Sequence, residues 1–267
     1  TGIKMMLDLL HRSRMQFPAM AMGFLTRILD EATNHSRERL VGGKALYNYD
    51  QVQARLAQIQ SAFTICSAMC VNTSEHASID RDLATHGLEA NSIKTCVTDL
   101  MQDSAQSLLQ LVGAAGYRLD HFAGRAIVDS RPFQIFEGSN DILYVQIAEA
   151  LLKQMKIAKE KNLFRYLNGF DLTHRASGLI KELIEFDLEA SLPQRKMTEL
   201  GKIVSRIVSM DLVLRLGEKG FDQEMINGSL VNLQQEIAGL LTVCAFENCS
   251  ALIDPDSEHP SWQKFCC

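Results

Sequence analysis

The chain has 267 residues, 46% of them hydrophobic and 22% charged, with mean hydropathy −0.03, which describes a folded globular chain able to bury one large core or two small ones. No stretch approaches the about 18 uninterrupted apolar residues of a transmembrane segment, and no basic-then-apolar leader opens the chain. A net charge of −5 and a pI near 5.8 argue against a nucleic-acid partner, because neutralising phosphates takes a surplus of Lys and Arg.

Five prolines and sixteen glycines are few, and good helix formers abound, so an almost all-α fold is expected. The first helical stretch covers residues 2–39, with Met6, Leu9, Leu10, Phe17, Met20, Phe24, Leu25, Ile28 and Leu29 near a 3.6 period. Pro18 marks a kink or a new start, and Val41-Gly42-Gly43 a stop. A second helix fits residues 50–71, followed by a polar connection over 72–86. A third covers 88–111 and ends at Gly113-Ala114-Ala115-Gly116; residues 117–138 read as irregular, and a fourth helix covers 139–161. Four long amphipathic helices in this order suggest an up-and-down four-helix bundle. Further helices are expected over 172–192, 194–220 and 224–252, as a smaller helical extension. The domain reading is therefore a bundle over 1–165, an additional helical region over 166–253 and a surface tail over 254–267.

The seven cysteines, an odd number without framework spacing, suggest reduced thiols in a reducing compartment. Cys66 and Cys70 lie one helical turn apart, but no second pair of ligands follows at metal-binding spacing. Buried structural thiols are expected, and no metal.

The segment Arg131-Pro132-Phe133-Gln134-Ile135-Phe136-Glu137-Gly138-Ser139-Asn140-Asp141-Ile142-Leu143 sets one carboxylate between an aromatic residue and a glycine, just before a helix. Phe133 and Phe136 offer an apolar surround of the kind that suits a general base. Gly138 would let a ligand approach the backbone, and Ser139 could cap the helix through Asp141 or Ile142. On spacing alone, the same residues fit an ordinary capped helix start with a solvated glutamate.

This stretch resembles the "IYEGT…I" signature of the acyl-CoA dehydrogenases, in a form similar to the long and very-long-chain branch. Gln110-Leu111-Val112-Gly113-Ala114-Ala115-Gly116-Tyr117 resembles the family's "Q-x-x-G-G-x-G-[FY]" turn, and residues 38–46 resemble "E-R-x-x-F-G-K-x-L". Ser13-Arg14, Leu29-Asp30-Glu31-Ala32 and Gly2-Ile3-Lys4 resemble the opening of the same domain, so the likeness covers residues 2–156. The resemblance implies the C-terminal four-helix bundle of an FAD-dependent enzyme. It also implies that the chain, which starts at Thr1, is a C-terminal piece of a longer dehydrogenase and inactive when isolated.

The implied reaction is α,β-dehydrogenation of a fatty acyl-CoA, with electrons passing to an electron-transferring flavoprotein. The resemblance gives Glu137 the role of catalytic base. Some members carry the base one residue before the matched arginine, a place held here by Ser13. Substrate contacts are implied for Arg14, Phe136 and Gly138, and FAD contacts for Arg39, Gln110, Gly113, Ala114, Ser139 and Asp141. FAD shared across subunits implies a homodimer or homotetramer, placed in the cytoplasm of a bacterium or the mitochondrial matrix of a eukaryote. Three positions depart from the pattern: Gly42 replaces the phenylalanine of "F-G-K", Ala114 the second turn glycine, and Val128 the arginine before Asp129. A non-catalytic paralogue and an acyl-CoA oxidase are the competing readings.

Overall fold

The computed structural model describes residues 2–118, 120–189 and 191–245. Helix α1 (Gly2–Arg14) gives way to α2 (Phe17–Glu38) through a tight turn in which the Gln16 amide donates to the Ser13 carbonyl at 3.1 Å. Pro18 lies in the first turn of α2, where its missing N–H leaves no helical hydrogen bond unmade, so it marks a new start. The restart changes the phase of the apolar stripe. Phe17, Leu25 and Ile28 are buried, whereas Met6, Leu9 and Met20 of the expected stripe face solvent.

Val41-Gly42-Gly43, expected as a helix stop, instead turns a short antiparallel hairpin of β1 (Leu40–Val41) and β2 (Lys44–Ala45). Gly42 and Gly43 take φ of 57° and 82°, as a tight two-residue hairpin turn requires. Helix α3 (Asp50–His76) runs past its expected end at residue 71. Asn72 and Thr73 there are buried but satisfied: Asn72 donates to Glu89 at 2.9 Å and accepts from Arg215 at 3.1 Å, and the Thr73 hydroxyl donates to the Cys70 carbonyl at 3.1 Å. Helix α4 (Gly87–Val112) matches expectation, and the nominally irregular segment after it contains α5 (Phe122–Ser130). There the His121 ring caps the helix by accepting from the Ala123 amide at 3.1 Å, and Ala123 and Ala126 are buried.

Helix α6 (Asn140–Ala158) packs against α4. Next come α7 (Leu163–Asn168) and, where one helix over 172–192 was expected, a shorter helical run made of α8 (His174–Ser177), a 3-10 turn (Gly178–Ile180) and α9 (Lys181–Ile184). The chain beyond α9 turns back instead. The Leu163 amide donates to Phe186 and the Leu188 amide to Lys161, both at 2.9 Å, which fixes an extended backbone. Helices α10 (Gln194–Glu218) and α11 (Gln223–Ala245) follow; the rest of the expected last helix and the tail lie outside the described residues.

The main core joins the start of α2, the later half of α3, the first half of α4, and α6, α7, α10 and α11. A second cluster at the far end unites Ile28 and Ala32 with Val52, Leu56, Leu108, Val112 and Ala126. Residues 203–213 of α10 are buried without interruption, including Ser205, Arg206, Ser209 and Asp211. The extension therefore fills the core and does not lie beside it. Cys66 and Cys96 are buried free thiols whose pKa values burial pushes up, that of Cys96 to about 11, so both are protonated packing groups. Among the described residues, no helix is long and apolar enough to cross a membrane.

Candidate active site

Residues 135–139 join the short turn Arg131–Gln134 to α6, and two left-handed residues make the bend. Glu137 has φ 59° and Gly138 has φ 100°. For a glutamate this is a strained conformation that persists only where the surroundings impose it. The surroundings are two cations from other helices. Arg14, buried at the end of α1, donates to the Glu137 carbonyl from Nε at 3.0 Å and from Nη2 at 2.8 Å, and from Nη1 to Asn91 Oδ1 at 2.7 Å. Lys94, fully buried on α4, donates from Nζ to the Gly138 carbonyl at 2.9 Å and to Asn140 Oδ1 at 2.8 Å. Two successive carbonyls are thus each held by a positive side chain.

Burial pulls the Arg14 guanidinium down from its usual range, against the opposing pull of the Glu137 carboxylate. Burial, aided by the nearby Arg14 charge, lowers Lys94 to about 8, with Asp99 and Glu137 acting in the other direction.

With its backbone fixed, the Glu137 side chain carries a buried oxygen, Oε2, that has no hydrogen-bond partner. The other unpartnered buried side-chain atoms among the described residues are serine hydroxyls, on Ser36, Ser61 and Ser92. Leaving a carboxylate oxygen so is costly for folding. Beside it, the rings of Phe17, Phe133 and Phe136 pack with centroids 5.2–5.8 Å apart. Phe136 also lines an open apolar hollow of about 430 Å³ with Ile127, Val128, Pro132 and Ile135. A carboxylate oxygen left without a donor, on a backbone held in place and next in sequence to an aromatic ring that lines the hollow, is a candidate proton acceptor.

The sequence model for the acyl-CoA dehydrogenase C-terminal domain matches residues 1–152. The chain belongs to the acyl-CoA dehydrogenase family. It is 26% identical over 147 residues to the mitochondrial very long-chain specific acyl-CoA dehydrogenase of Mus musculus, covering 55% of this chain and 22% of that protein. It is 29% identical over 153 residues to the probable acyl-CoA dehydrogenase fadE25 of Mycobacterium bovis, covering 57% of this chain and 39% of that protein. The chain thus spans well under half of these relatives' length. In fold it is similar to an acyl-CoA dehydrogenase from Bacillus anthracis complexed with FAD, with a TM-score of 0.64 at 15% identity over 91% of this chain and 50% of that one. That likeness of fold reaches beyond the residues matched by the family's sequence model.

The residues singled out for this acyl-CoA dehydrogenase chain fall into two groups. Arg14, Phe136, Glu137, Gly138, Ser139 and Asp141 converge at the start of α6. Arg39, Gln110, Gly113 and Ala114 are exposed at the opposite end of the bundle, where α2 and α4 both finish. Lys94 touches the first group and Gly113 belongs to the second; along α4 they are roughly 30 Å apart at ~1.5 Å per residue.

Ser139 does occupy the N-cap of α6, but its hydroxyl makes no capping bond; the carbonyl alone serves, accepting from the Leu143 amide at 3.0 Å. At Gly42 the Tyr49 hydroxyl lies 3.0 Å from where a Cβ would be, and it donates to the Val41 carbonyl at 2.8 Å, so an aromatic residue from α3's approach packs at the glycine turn. Val128 is exposed.

Sequence reasoning missed Asn91, Lys94, Asp99, Asn140 and Arg206, all parts of the support. The available signal was polarity out of place: Lys94 and Asp99 interrupt the apolar pattern of α4, and Arg206 stands alone in Ile203-Val204-Ser205-Arg206-Ile207-Val208.

Proposed function

We propose that this chain is the C-terminal part of an enzyme that dehydrogenates fatty acyl-CoA thioesters between Cα and Cβ, with Glu137 as the base that removes the Cα proton. The observation that carries the reading is the buried, unpartnered Oε2 of Glu137 on a backbone fixed by Arg14 and Lys94. A thioester α-proton is weakly acidic, so the accepting oxygen must be free of competing donors and correctly aimed before the substrate arrives. The apolar hollow lined by the neighbouring Phe136 suits an acyl chain, and the absence of a side chain at Gly138 lets Arg14 and Leu143 close on the loop.

The chemistry of the donor set also fits FAD. Arg39 is exposed, and a guanidinium suits a pyrophosphate, with Gln110, Gly113 and Ala114 close by along the same bundle end. Ser139 and Asp141, next to the base, complete the set. When bound, the flavin supplies the acceptor for the hydride that leaves Cβ. Two sets of residues roughly 30 Å apart on one chain suit cofactors shared between subunits, so a homodimer is the smallest complete assembly. An electron-transferring flavoprotein is the proposed electron acceptor.

The test is Glu137→Gln in the full-length protein carrying this chain. Anaerobic addition of palmitoyl-CoA should bleach the wild-type flavin and leave the variant's flavin oxidised, although the variant still binds FAD. Bleaching at an undiminished rate in the variant would remove Glu137 from the reaction.

A further inference from the structure

We infer that Arg206, on α10 and outside the residues matched by the family's sequence model, is a positioning residue for Glu137, acting through Asp99. The inference rests on the reading of Glu137 as base. Asp99 of α4 has both carboxylate oxygens engaged. Oδ1 accepts from Gln134 Nε2 at 2.8 Å and from Asn140 Nδ2 at 2.7 Å. Oδ2 accepts from the Tyr144 hydroxyl and from Arg206 Nη2 at 3.1 Å. Gln134 and Asn140 flank the Glu137 loop symmetrically in sequence, so a single carboxylate pins both ends of the loop that aims the base. Asn140 passes the constraint on by accepting from Lys94, whose Nζ also holds the Gly138 carbonyl.

A carboxylate in this place needs a counter-charge. Burial would push the Asp99 carboxyl up, and Arg206 together with the donors Tyr144 and Gln134 holds it below its usual range. Arg206 is buried and has its own fixed geometry: Nε donates to Glu236 Oε1 of α11 at 2.6 Å and Nη1 to the Tyr144 hydroxyl at 3.2 Å. The guanidinium therefore ties α11, α10, α6 and α4 to the loop. Without it, the mostly buried Asp99 anion keeps only the influence of the Lys94 charge, and it must take a proton or turn toward water. A protonated Asp99 has one fewer lone pair for Gln134 and Asn140, and the loop loses one anchor.

The test uses full-length holoenzyme, comparing wild type with Arg206→Gln, the Asp99→Asn/Arg206→Gln pair, and Glu137→Gln. Two readouts are taken: amide hydrogen exchange over residues 134–141, and the rate of flavin bleaching by palmitoyl-CoA per bound FAD. Arg206→Gln should speed loop exchange and lower kcat per flavin by about tenfold or more, with KM nearly unchanged. The pair removes the stranded charge, while the side-chain amide oxygen that replaces the carboxylate can still accept from Gln134 and Asn140, so most of the rate should return. Loop exchange and rate per flavin both unchanged in Arg206→Gln would overturn the inference; so would faster exchange with an unchanged rate. If Arg206→Gln fails to fold, the partly exposed Gln134→Leu removes one arm of the same clamp and must show both effects, or the inference falls. Glu137→Gln separates the two failures. Turnover retained there sinks the base assignment, whereas a dead Glu137→Gln beside an unimpaired Arg206→Gln sinks only the positioning role.

Discussion

Replacing Gly201 with alanine should prise α10 away from α6. Gly201 is buried, and a Cβ built on it falls 2.6 Å from the carbonyl carbon and 2.8 Å from the Cα of Tyr144. Carbon atoms in contact lie ~3.5–4.0 Å apart, so the two helices must separate locally by about 1 Å. The atoms met are backbone, and no rotamer change relieves them. Overpacking a core costs ~1–3 kcal/mol when side chains can adjust. Here the separation also loosens Leu200, Ile203, Val204 and Ile207, all buried in the main core, so a loss of about 3–4 kcal/mol is expected. Urea and thermal unfolding followed by circular dichroism measure it, and the melting temperature should fall by roughly 6–15 °C. A variant melting within about 2 °C of wild type would refute the close backbone contact, and with it the placement of α10 inside the bundle.

Gly138→Ala meets two obstacles, a φ of 100° and a Cβ position 3.1 Å from Leu143 Cδ2 and 3.2 Å from Arg14 Nη2. It should cost about 1–3 kcal/mol in urea unfolding and, by displacing Arg14 from the Glu137 carbonyl, lower turnover per bound flavin more than tenfold; normal turnover would dissociate the loop from the reaction. Lys94 titrates at about 8 in the folded chain against 10.5 unfolded, so between those values the unfolded state binds more protons and stability from this group rises with pH. Below about 8 both states are charged and the penalty is constant. The stability of wild type relative to Lys94→Met should therefore grow by about 1–2 kcal/mol across that window, after allowance for solvent screening, and a difference that stays flat with pH would contradict the burial of this amine.

The long helices were legible because each carries an apolar stripe at helical period, and the Glu137 loop because it stands in a motif that resembles a known signature. What periodicity missed has local physical causes. Asn72 and Thr73 look like loop residues until Glu89 and Arg215 arrive from other helices to satisfy Asn72. Residues 185–188 have helical composition, but their backbone groups find partners at Lys161 and Leu163 first. The support of the site was hidden for the same reason: Asp99 reads as a flaw in an apolar face until four donors from three other segments converge on it.

The Glu137 loop is over-determined by charge while its own carboxylate is left unsatisfied, an asymmetry that favours the proposed base over a capped helix start. A simple cap would aim a side-chain oxygen at the first amides of α6; the Ser139 hydroxyl does not, and Glu137 Oε2 has no partner. A purely structural glutamate would turn outward to water, which costs nothing at an exposed loop. Instead Arg14 and Lys94 spend their donors on carbonyls and side-chain amides, fixing the backbone and leaving the carboxylate oxygen free. The arrangement sacrifices stability at one atom, and under the proposed function a bond to the substrate proton offsets it.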